Sequence, residues 1–102
     1  MALSLEQAFD VLLKAAEQSA QHKNALYLEN AARSLGMAET EGTDVAWPRT
    51  DWRSEYSDGR VLHVESSWRD TSRTNQLRPD RHKIVVEILN NGEQGPSRTD
   101  TW

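Results

Sequence analysis

The period of the apolar residues changes once along this chain, and that change constrains its fold more than any other feature. Up to Gly36 the apolar positions recur at helical spacing, and from Trp52 onward they alternate at period two. Leu5, Phe9, Leu12 and Ala16 stand at i, i+4, i+7 and i+11, and Leu28, Ala31, Ala32 and Leu35 resume that stripe. Ser4 followed by Gln7 matches a capping box, in which each side chain satisfies a free backbone donor of the other residue. Gly36 stands where a left-handed cap would end the helical region, so residues 4–36 are expected to be helical. The polar gap from Gln18 to Asn24 contains neither Gly nor Pro. It leaves two alternatives open, a helical hairpin turning near His22–Asn24 or one long helix.

Residues 38–50 read as a connector, because Gly42, Pro48 and a polar run all break regular structure. Residues 51–89 then read as a three-stranded meander. Trp52 and Tyr56, then Leu62, Val64 and Trp68, then Ile84, Val86 and Ile88 all fall on one face. Ser57-Asp58-Gly59 supplies the first turn, and Asn90-Asn91-Gly92 is a strong tight-turn signal after the third strand. Gly95 and Pro96 then argue against a further full strand, so residues 90–102 read as turn and tail, with a short edge piece as the alternative to the tail. The expected fold is a single α+β domain over residues 1–102, with helices packed on a small three-stranded antiparallel sheet.

Charge is distributed unevenly. The net charge is -4, yet residues 49–83 hold eight bases against six acids, while residues 1–48 hold three bases against seven acids. The overall acidity disfavours nucleic acid as a partner, since binding it usually rests on a broad basic field. The bases concentrate in Trp68–Lys83, WRDTSRTNQLRPDRHK, between two expected strands. Arg69, Arg73, Arg78 and Arg81, with His82 adjoining, are the candidate anion- or partner-binding residues, because forked guanidinium donors match phosphate and carboxylate oxygens. The plainer alternative is a solvated loop whose arginines pair with nearby acids, which carries little energy.

Catalytic and cofactor signals are missing. The chain has no cysteine, and its three histidines show no metal-ligand spacing, so no metal and no cofactor is expected. No phosphate-binding glycine loop or nucleophile motif occurs. Apolar runs such as Val11–Leu13 are far short of the ~20 residues that span a bilayer. MALSLEQAF lacks the basic start and apolar core of a secretion signal, so a cytoplasmic protein with no membrane role is expected.

Four tryptophans are many for 102 residues. Trp52 and Trp68 are assigned to the core, leaving Trp47 and Trp102 as candidate interface anchors. Val61, His63 and Val85 make the outer sheet face half-apolar and add to that interface, with a homodimer as the expected assembly. The function expected is non-enzymatic binding of a partner macromolecule, most simply a protein. The alternative is capture of a nucleotide or other phosphorylated small molecule by the arginine-rich loop. In composition alone the chain is similar to small acidic inhibitors, immunity proteins and antitoxins of bacteria and phages, a likeness that assigns no residue a role.

Overall fold

The computed structural model describes residues 3–42, 48–69 and 81–102. Two helices, α1 (Leu5–His22) and α2 (Leu26–Ser34), precede five strands: β1 (Ala38–Glu41), β2 (Arg49–Glu55), β3 (Arg60–Arg69), β4 (Arg81–Asn90) and β5 (Glu93–Thr101). The strands form one antiparallel sheet in sequence order, with the helices packed on one face. The class is α+β, but the sheet has five strands where three were expected.

Both additional strands are held by contacts that local pattern does not encode. β1, AETE, is exposed at every residue, so it carries no apolar alternation. It pairs with β2 and is pinned by Glu39, which accepts from the Trp52 indole at 2.8 Å and from Arg33 at 3.1 Å. β5 contains Gly95 and Pro96, the residues that read against a strand. The pairing Glu87↔Ser97 gives way to Leu89↔Gln94, so β5 accommodates one extra residue at that point. Such a bulge on an edge strand tolerates a proline, whose missing N–H costs no ladder bond there. Gly95 also brings its backbone close to β4, for an added Cβ would stand 2.9 Å from the Ile88 carbonyl oxygen.

The helical segment forms a hairpin. Ser4 and Gln7 complete the capping box at its start. Lys23 closes α1 in the left-handed region at φ 51°. The polar gap folds because Ser19, fully buried, accepts the Leu28 N–H at 3.0 Å and so ties α2 to α1. Gly36, at φ 72°, ends α2, with Met37 N–H reaching the Ala32 carbonyl and Gly36 N–H that of Arg33. No described helix is long and apolar enough to cross a membrane.

The core lies between the layers. Leu5, Ala8, Leu12 and Ala16 from α1 and Leu28 and Ala32 from α2 meet Trp52, Leu62, Val64, Ile84, Val86 and Ile88. Phe9 is only half-buried at its margin.

Candidate functional site

The sheet has two unlike ends. At one, short turns join β2 to β3 and β4 to β5. At the other lie the ends of β1 and β3, the starts of β2 and β4 and the α1–α2 turn. Here Trp68, His82 and Trp102 stand side by side. Trp68 is the rung partner of His82, and His82 exchanges both backbone hydrogen bonds with Trp102 at 2.7 and 3.0 Å. Alternation puts all three rings on the helix-facing side, continuing the line of Ile84 and Val86. The imidazole sits between the indoles, with ring centroids 4.2 Å from Trp68 and 5.2 Å from Trp102.

A polar chain fixes this row to α2. Ser66 Oγ lies 2.7 Å from Glu29 Oε2 and 2.7 Å from His82 Nε2. A hydroxyl has one proton, and a carboxylate only accepts. Ser66 therefore donates to Glu29 and accepts from His82, which places a hydrogen on Nε2. A serine nucleophile needs the reverse, a histidine nitrogen free to take the hydroxyl proton. This triplet is thus built to orient side chains. Burial lowers the proton affinity of His82, partly opposed by the charge of Glu29.

Over the row opens a cavity of about 220 Å³. Trp68, His82, Trp102, Glu29, Lys23 and Leu26 are among its described lining residues. Trp68 is 40% exposed and Leu26 53% exposed. The period-two pattern thus puts Trp68 on the expected face, but at a rung where the helical layer gives out. Among the described residues Glu29 Oε1 takes no hydrogen bond.

The candidate residues scatter around this end. His82 is buried and committed to Ser66, whereas Arg81 beside it is exposed. Arg69 is the rung partner of Arg81, one rung beyond Trp68 and His82. Arg73, Arg78 and Trp47 lie outside the described residues. Trp102 is half-buried against His82.

Val61, His63 and Val85 lie on the opposite sheet face, among interlocked charges. Arg49 donates to Asp51 at 2.9 Å and contacts Glu65 at 2.8 Å, and His63 Nε2 lies 2.8 Å from Asp51. Desolvation, the largest single influence, raises the Asp51 pKa, but the Arg49 and His63 contacts outweigh it, leaving the carboxyl below its usual range. Val85 is buried within this network and Val61 half-buried. Among the described residues no group of His, Asp and Glu is placed to hold a metal ion.

A larger groove, about 410 Å³, opens at the turn end between α1 and the sheet. Phe9, Leu13, Ile88 and Pro96 give it apolar walls. Its charged groups have partners: Arg60 meets Glu6 at 2.7 Å, and Asp10 meets Lys14, one turn along α1 and outside the groove, at 3.4 Å. The sequence carried no direct signal for Ser66, Glu29 or Leu26 as site residues, since only the register and the helix–sheet packing bring them together. In comparisons with known proteins, no family model, curated protein or solved structure matches the chain.

Proposed function

We propose that this is a non-enzymatic cytoplasmic protein that acts by binding a partner protein at the aromatic end of its sheet. The observation that supports this most is the pairing of exposed Trp68 and Leu26 on the rim of a cavity whose floor is a fixed polar chain. A large aromatic anchor beside a preformed recess is the composition of an interface hot spot. Holding Trp68 against His82 limits the entropy it loses on binding.

The test is affinity capture from the native host with three baits: the wild type, Trp68→Ala/Leu26→Ser, and Val11→Ser as a control on the exposed flank of α1. A protein retained by the wild type and by the control but lost by the double variant is expected. Equal retention by all three baits, or by none, would count against the reading. Sedimentation of the wild type identifies a second copy of the chain as the partner, since a dimer would exceed the 11.6 kDa monomer mass.

A second reading has one observation of its own. Arg69 and Arg81 occupy paired register positions of β3 and β4, which brings two of the candidate bases to one rung, and forked guanidinium donors match a phosphate. On that reading inorganic phosphate raises the melting temperature of the wild type and leaves that of Arg81→Gln unchanged.

A further inference from the structure

We infer that the cavity beside Trp68 and Trp102 receives a cationic side chain, an arginine or lysine of the partner protein, with Glu29 as its counter-ion. The inference rests on the partner-binding reading and adds the chemistry of what is recognised.

Three features point to a cation. Two indoles flank the recess, and the negative face of an indole is the best aromatic surface for a guanidinium or ammonium. Glu29 supplies the charge. Its Oε2 is held by Ser66, which orients the carboxylate, while Oε1 has no partner among the described residues. The size also fits, because about 220 Å³ is below the roughly 300–1,000 Å³ typical of pockets for whole drug-sized ligands. A side-chain head group fills such a space and a nucleotide does not. His82 supports this arrangement, since burial lowers the proton affinity of its imidazole and so lessens repulsion of a cationic guest.

Lys23 is the one described cation on the cavity wall. It stands at the left-handed cap of α1 and forms no ion pair with Glu29. Its charge opposes that of the guest, so removing it strengthens binding.

The test uses small probes of matched shape. Choline and 3,3-dimethylbutan-1-ol differ in charge and hardly in size, and N-acetyl-arginine amide presents the guanidinium. Each is titrated into the full chain while the Trp68 and Trp102 indole N–H resonances are followed by NMR. Saturable shifts are expected with choline and the arginine derivative, with the alcohol weaker by about fivefold or more. Glu29→Gln keeps an acceptor for Ser66 and should lose most of that preference, whereas Lys23→Met should bind choline more tightly. Equal binding of the alcohol, absence of saturable shifts, or a Glu29→Gln variant that binds choline as the wild type does would overturn the inference. Failure of the probes while partner capture still depends on Trp68 would remove the cation alone. Probe binding with capture indifferent to Trp68 would instead remove the partner reading.

Discussion

The two ends of the sheet differ in how far their polar groups find partners among the described residues. At the turn end Asp58 accepts from the Arg60 backbone at 3.0 Å and from its guanidinium at 2.7 Å, and the same guanidinium reaches Glu6 on α1. The hydrogen bond from Arg60, more than any other influence, lowers the Glu6 pKa. That end closes on itself. At the aromatic end only one oxygen of Glu29 has a partner among the described residues, Trp68 and Leu26 face solvent, and a buried imidazole lies between two indoles. The larger groove lies at the closed end and the smaller cavity at the open one. Volume alone therefore ranks these sites differently from chemistry, and a preoriented acceptor without a partner is the better mark of recognition.

This contrast yields experiments of decreasing effect. Val86 is fully buried in the sheet that both ends share. Val86→Asp should unfold the chain, because an unpaired buried carboxylate costs several kcal/mol of a total near ~5–15 kcal/mol. A cooperative melt at the wild-type temperature would show that the two ends do not depend on a common core.

Ser19→Ala should come next. It leaves the buried Leu28 N–H without its acceptor, at a cost of about 1–3 kcal/mol in urea denaturation. This bond sets the α1–α2 turn, so the variant should also weaken whatever docks at the aromatic end.

Gly59→Ala and Trp68→Ala separate the ends directly. Gly59 sits at φ 88°, where an added Cβ would stand 2.9 Å from Asn91 Oδ1. The substitution should cost about 1–2 kcal/mol while leaving partner capture intact. Trp68→Ala should show the converse, losing capture with the smaller change in stability, because its side chain is substantially exposed. Capture that tracks stability in both variants would dissolve the distinction.

The smallest effect is a pH dependence. Burial holds the His82 pKa below the ordinary histidine value of 6.5, so the unfolded chain binds the proton more readily than the folded one. Stability then rises with pH across that window and falls as pH drops through 6.5 toward the lower folded value. Glu29 opposes the shift, and no other histidine touches the Ser66–His82 pair. Thermal melts at pH 7.5 and 5.5 should therefore differ less for His82→Phe than for the wild type. An unchanged difference would place the titration at another histidine.

The sequence by itself determined whatever rests on neighbours a few residues apart. The Ser4–Gln7 capping box joins residues three apart, and Gly36, Gly59 and Gly92 take the positive φ that their turns require. The order of helices before strands and the core face of β2, β3 and β4 were legible for the same reason, since amphipathic period is a local property. Tertiary structure decided the rest. β1 has no apolar face and exists because β2 and Glu39 hold it, and β5 accommodates Gly95 and Pro96 by bulging where it pairs with β4. The aromatic end was decided in the same way, because its members are remote in sequence: Ser66 is 37 residues from Glu29 and 16 from His82. No local pattern encodes a contact between residues so far apart, and Glu29 stands beside the indoles only because the register of β3 and β4 and the packing of α2 bring them together.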